Sequence, residues 1–476
     1  MKKINPVLQY FYRLFSMFKS NIRDYGMYIA LFAIFITFTI ITGGSFLGPR
    51  NFTNLLNQTA YVAVLAVGMT LVIVIREIDL SVGYLGAFLG GFLVVSIERN
   101  NMNVFIAILL ALLITVVVGF IKGSLVSKIK IPSFVVTLGG MFIFKGLLMT
   151  KTKNTVVPTS NQLFQKIGIG YLSTHQIMGL NTLTLVIGVL VFVLIIVTSF
   201  LARNKNKKFG VENEFLSIFV TKLVFMLAIV TFTIYTLATH RGISYLLLIT
   251  ALVTVIYHFV TTKTVLGRRI YAVGGNPEAA ELSGVNVSKI VIVVFISMGI
   301  LALISGLMYV SNVQNTSPQH GPLWELYAIA AAYIGGTSAR GGVGKVVNAV
   351  IGAIVMMSLQ NGMKLAGIDS NIEPVILGSV LVFAVIFDIY TRNVRSVDYV
   401  GIYYAKQQHK VEYNLAKKEY LAARTKVREA RKSEIDSQTL IEYEYEFTRL
   451  TSKYNEIRDL IRNSKEEDFN EALVGK

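Results

Sequence analysis

Gly267–Lys289 reads GRRIYAVGGNPEAAELSGVNVSK. It is a basic, glycine-punctuated stretch set between two apolar runs, 242–262 and 290–310. Each run has about 20 residues, the length that crosses a hydrocarbon core of roughly 30 Å. A polar stretch between two such runs belongs at a membrane surface. Lys263, Arg268, Arg269 and Lys289 assign it to the inner surface, because cytoplasmic connections carry an excess of Lys and Arg. Asn276 and Pro277 can open a short helix there, since proline at the first helical position loses no hydrogen bond. Glu278, Ala279, Ala280, Glu281 and Leu282 continue it, and Ser283-Gly284 can close it. Small alanines would let this crosspiece seat in a groove of something soluble. A plain cytoplasmic loop is the other reading of the same residues.

Outward from this stretch the apolar runs recur. The chain has 476 residues, 54% hydrophobic and only 15% charged, too apolar for a soluble protein of this size. Twelve spans are predicted, at 26–47, 54–75, 81–97, 104–126, 132–150, 183–202, 215–238, 242–262, 290–310, 323–337, 346–362 and 372–390. No small-residue cleavage site follows the first run, so it reads as a retained helix. With residues 1–25 inside, most of the 45 Lys and Arg fall on inner connections, and both termini are cytoplasmic. The net charge of +18 thus reflects membrane orientation and does not call for nucleic acid.

The expected architecture is all-α: a cytoplasmic segment 1–25, a polytopic membrane domain 26–392 and a cytoplasmic helical extension 396–476. Leu8, Phe11, Phe15, Phe18 and Ile22 recur at helical spacing and predict an interfacial amphipathic helix. The outer segment Lys151–Asn181 lacks acidic residues, and a second outer segment, Ser311–Glu325, ends near Trp324, read as an interfacial anchor. In the tail, Leu440, Phe447, Leu450, Tyr454, Ile457 and Ile461 form a heptad seam, with Thr439 and Glu442 as a capping box. A weaker seam runs through Val411 and Leu415, so a helical hairpin broken near 433–438 is expected.

Enzyme chemistry finds no footing. Gly341–Lys345 (GGVGK) resembles the end of a phosphate loop, but Ala339 and Val346 stand where glycine and Ser/Thr are needed. The five histidines have no metal-ligand spacing, there is no cysteine, and no Ser–His–acid set can be assembled. No cofactor is implied. Two glycine-rich units stand out instead: Arg76–Gly83 (REIDLSVG) and Gly335–Gly344 (GGTSARGGVG). They suit broken helices or tight inner turns, and Arg76 and Arg340 fit the water boundary of such turns. Asn57, Gln58, Asp79, Ser81, Asn312, Gln314 and Asn361 are candidates to line a pathway, with Thr59, Asn348 and Gln360 among the neighbouring polar groups. Amides and hydroxyls suit a neutral, hydroxyl-rich solute better than an ion. The lack of mid-span Asp/Glu/His relays argues against proton coupling.

These residues carry a resemblance. Arg76–Gly83, Gly267–Val287 and Gly335–Ala353 are similar to stretches of the permease subunits of bacterial ABC importers for simple sugars, the ribose/xylose/galactose group. His240–Tyr245 (HRGISY) and the insertion before it resemble the xylose branch. The likeness covers approximately 26–392. It implies that Gly274, Gly275 and Asn276–Gly284 form the coupling helix that seats on a separate ATPase. It also implies an extracellular solute-binding protein, a second permease copy or relative, and a small sugar as substrate. The family signature has glycines where Arg76 and Glu77 stand here. A nucleoside permease of the same superfamily, a secondary transporter and a membrane scaffold working through the tail are the competing readings.

Overall fold

A computed structural model describes residues 22–208, 216–369, 371–393, 399–431 and 436–474. The interfacial helix expected over 6–24 falls almost wholly outside these. The chain divides into a membrane unit, Ile22–Val394, and a second unit that holds the tail from residue 395.

The membrane unit is built from fifteen helices among the described residues. In order they are α1 (Ile22–Ile41), α2 (Pro49–Val74), α3 (Val82–Glu98), α4 (Val104–Ser127), α5 (Ser133–Thr152), α6 (Gln162–Ile169), α7 (Thr182–Lys208) and α8 (Leu216–His240). Then come α9 (Tyr245–Lys263), α10 (Val265–Gly275), α11 (Pro277–Leu282), α12 (Val287–Val313), α13 (Trp324–Ile334), α14 (Val346–Leu365) and α15 (Glu373–Asn393). Two-residue strands make the only sheet among the described residues: β1 (Val157–Pro158) pairs antiparallel with β4 (Asn315–Thr316), and β2 (Gln176–Ile177) with β3 (Leu180–Asn181).

Each of the twelve predicted spans coincides with a helix. Eight helices, α2, α4, α5, α7, α8, α9, α12 and α14, are long and apolar enough to cross a membrane. Apolar helices over Gly26–Ile41, Val82–Glu98 and Glu373–Ile386 are shorter. The span expected at 323–337 is the 11-residue α13, which rises only about 16 Å. It therefore cannot cross alone, and the count of twelve complete spans is not confirmed.

Burial sorts the helices. α2 is enclosed on nearly all sides and α12 on most, whereas α7 and α8 are almost wholly exposed along their length. That exposure is what lipid requires of an apolar helix. Small residues let the inner helices close up: a Cβ on Gly306 would overlap the Gly86 carbonyl oxygen where α12 crosses α3, and one on Gly123 would lie 2.6 Å from Ile292 Cα where α12 crosses α4.

The tail is an antiparallel-capable pair of long helices, α16 (Tyr399–Ala430) and α17 (Ser437–Val474), as the hairpin expectation requires. Tyr420 stacks on Phe447 and Tyr454 at 5.6 and 5.2 Å. Tyr413 and Tyr454 share a hydroxyl hydrogen bond of 2.9 Å. Two details differ from expectation. Leu415 is exposed; the buried stripe of α16 is Ala416, Ala423, Val427 and Ala430, displaced by one position. These positions recur with Tyr413 and Tyr420 at spacings of three and four, so small residues alternate with rings along one face of α16. Helix α17 begins at Ser437, which puts Thr439 inside its first turn rather than at the cap.

Candidate functional site

The crosspiece forms where its caps predict. Asn276 Oδ1 accepts from Ala279 N at 3.0 Å, and Pro277 takes the first helical position of α11. Gly284 closes the turn at φ +80, a conformation that favours glycine, and Val285 N donates to Ala280 O at 3.0 Å. The helix has two faces. Ala280 is buried against the protein, while Glu278, Ala279, Glu281 and Leu282 face outward, Leu282 at 90% exposure.

Helix α10 carries this crosspiece, and the two other glycine-rich stretches hold α10. Arg76 Nε donates to Gly274 O at 2.7 Å, and its Nη2 donates to Gly275 O. Gly342 N donates to Val74 O at 2.8 Å, and Tyr271 OH donates to Gly344 O at 2.6 Å. The approach is so close that a Cβ on Gly274 would overlap the Val74 carbonyl oxygen. The three stretches that carry the resemblance are thus one structural node. Sequence reading set Arg76 at the water boundary, and the residue is exposed; its side chain also bolts the end of α2 to the end of α10. Nothing local marks that role, because its acceptors lie about two hundred positions away.

The backbone of the break between α2 and α3 finds partners in α5. Ile78 N donates to Ser133 Oγ at 3.2 Å, and Thr137 Oγ1 donates to Ile78 O at 3.2 Å. Burial raises the Glu77 carboxyl above its ordinary range, opposed by a hydrogen bond with Ser133 and by the charge of Lys130. Just beyond, Asp79 and Lys122 form a buried ion pair at 2.5 Å, with side-chain exposures of 0% and 5%. Ser81 completes it: its N and Oγ donate to Asp79 Oδ1 at 2.9 and 2.6 Å, and its Oγ accepts from Lys122 Nζ at 2.9 Å. Lys122 was missed by sequence reading, although a lysine inside a predicted span demands a buried acid or a route to water.

The far end of α3 is also braced. Glu98, at the end of α3, accepts from Thr159 Oγ1, Ser160 N, Ser160 Oγ and Asn161 N at 2.7 to 3.0 Å. Helix α6 lies against α12, so close at Gly168 that a Cβ would overlap the Ser311 carbonyl. Trp324, expected as an interfacial anchor, is 4% exposed. Its ring lies 4.4 Å from Tyr309 and 5.0 Å from Tyr61, centroid to centroid, inside the bundle.

The pathway candidates do not form one cluster. Asn57 Oδ1 accepts from Ser244 Oγ at 2.6 Å. Asn361 and Asn51 exchange amide hydrogen bonds at 2.9 and 3.2 Å. Asp79 and Ser81 belong to the ion pair, and Gln314 ends α12 with its amide on Ser311 O. Gln58 is exposed and Asn312 half-buried. Gln360 donates to Glu373 Oε1 at 2.5 Å and to Tyr327 OH at 3.2 Å. Among the described residues no three His, Asp or Glu side chains converge as metal ligands.

Comparison with known proteins identifies the family. A family model described as "Branched-chain amino acid transport system / permease component" matches residues 51–387. The chain is 36% identical over 375 residues to the xylose transport system permease protein XylH of Haemophilus influenzae, covering 79% of this chain and 98% of that one. It is 37% identical over 382 residues to XylH of Escherichia coli K12, covering 80% and 95%. It is 32% identical over 365 residues to the ribose import permease protein RbsC of E. coli K12, covering 75% and 92%. No solved structure matches. The chain, a multi-pass membrane protein, belongs to the permease-component family of the branched-chain amino acid transport type, which includes these sugar importer permeases.

Proposed function

We infer that this chain is the pathway-forming subunit of an ATP-driven importer for a simple sugar, xylose foremost. The observation that carries this reading is the node at the inner surface. A short helix with an exposed polar-apolar face is fixed to the ends of α2 and α10 and to the turn before α14. Force applied to α11 would reach α10 and, through it, the long helices α2 and α14 by backbone-level contacts, without a flexible linker between. ATP hydrolysis belongs to a separate subunit docked on Glu278, Ala279, Glu281 and Leu282. An extracellular binding protein delivers the sugar to the outer segment that Glu98 braces. Two copies, or this chain with a relative, enclose the pathway, and both termini face the cytoplasm, in keeping with the Lys and Arg bias. Partners with different affinity for inward- and outward-open states supply the drive.

The test is reconstitution in vesicles with the candidate ATPase and binding protein. Labelled xylose uptake that needs all three proteins and ATP is the expected result. Competition by ribose and by adenosine ranks the substrates. Uptake without ATP or without partners overturns the reading in favour of an autonomous carrier.

A further inference from the structure

We propose that the inner ends of α4 and α12 form a binding groove for an anionic phospholipid of the inner leaflet. A groove of about 760 Å³ opens there. Lys128 and Lys289 lie on its rim and Phe120, Ile292 and Val293 on its wall. The chemistry is ordered along the membrane normal. Phe120 stands eight positions before Lys128 on α4, and Ile292 and Val293 follow Lys289 on α12, so both helices run from ammonium to apolar side chain as they enter the bilayer. A lipid has the same order: phosphate at the surface, acyl chain beneath. Phe120 is half-exposed and Lys128 is 5.8 Å from its ring, which holds the ammonium over the apolar wall. Neither lysine has a carboxylate partner within ion-pair distance among the described residues. Basic pockets between membrane helices on the cytoplasmic side are the sites that hold acidic headgroups. One acidic residue, Glu281 of α11, also lines the groove, leaving a surplus of one positive charge. Because Glu281 and Gly284 form part of the same wall, a seated headgroup would rest against the crosspiece itself. The proposal relies on the inner placement of 263–289, and on no transport activity.

The test uses the full-length chain purified in detergent and examined by native mass spectrometry with dioleoyl phosphatidylglycerol and, separately, dioleoyl phosphatidylcholine. The expected result is retention of phosphatidylglycerol over phosphatidylcholine. Lys128→Gln should reduce retention about fivefold, as should Lys289→Gln, and the double variant about thirtyfold. Lys263→Gln with Lys205→Gln removes equal charge outside the groove and should leave retention near that of the parent. Equal losses in the two double variants would reduce the effect to net charge and overturn the site. Displacement of the lipid by inorganic phosphate at equal concentration would overturn it also, in favour of a free anion. Loss of retention alongside normal xylose uptake would separate this site from the transport reading.

Discussion

At the scale of single residues, two charged side chains carry more than their positions announce. Arg76 supplies a guanidinium to the backbone carbonyls of Gly274 and Gly275. Hydrogen bonds to a charged group contribute about 1.5–3 kcal/mol each. Arg76→Ala should leave membrane insertion intact and loosen α10, seen as ATPase turnover that no longer responds to sugar-loaded binding protein. Arg76→Lys keeps the charge but cannot reach both carbonyls with a planar fork, so it should fall between. A response unchanged in Arg76→Ala would remove the bolt from the mechanism. The second residue is Lys122. Its ion pair with Asp79 is fully enclosed, and removing one partner of such a pair costs about 3–5 kcal/mol because the other charge is stranded. Lys122→Met should lower the thermal unfolding midpoint sharply, and Asp79→Leu added to it should restore most of the loss. If the double variant is as unstable as the single, the stranded-charge account fails.

At the scale of elements, what the sequence discloses depends on how local the signal is. The ends of α11 are legible because each cap lies within four residues of what it caps: Asn276 with Ala279, Gly284 with Glu281. Span positions are legible because hydropathy needs no tertiary partner. The half-length of α13 is not, since Trp324 is apolar whether it meets lipid or Tyr61 and Tyr309. The buried alanines of α16 are hidden for a related reason: alanine favours any helix position, and only packing against α17 makes Ala416 and Ala423 a seam. The node of Arg76, Gly274 and Gly342 is beyond local reading altogether. Helix α11 gives the prediction at this scale. Replacing Glu278, Ala279 and Gly284 together should abolish ATPase association in a pull-down while the permease still inserts. Leu282→Asp, altering only the most exposed apolar contact of that face, should weaken association without abolishing it. Normal pull-down by the triple variant would deny α11 its docking role.

At the scale of the whole molecule, the tail and the membrane unit pose one question with a clean answer. The matched region ends at residue 387, and the relatives cover 75–80% of this chain, so the tail has no counterpart in the likeness that defines the family. Within the tail, Tyr413 and Tyr420 of α16 pack against Phe447 and Tyr454 of α17, and the pairs Arg431–Glu444 and Lys453–Glu419, at 2.7 and 3.3 Å, are exposed and contribute little. The hydrogen bonds described for the node that links α2, α10 and α14 are made by residues between Val74 and Gly344. If transport resides in the membrane unit, a chain ending at 395 should insert, bind the ATPase and import xylose at close to the full-length rate in the same vesicles. If the tail is the working part of a scaffold, that truncation abolishes function even though Arg76, Gly274 and α11 are untouched. The first outcome is expected, because a chain ending at 395 keeps Arg76, Gly274 and Gly342 and every hydrogen bond described between them.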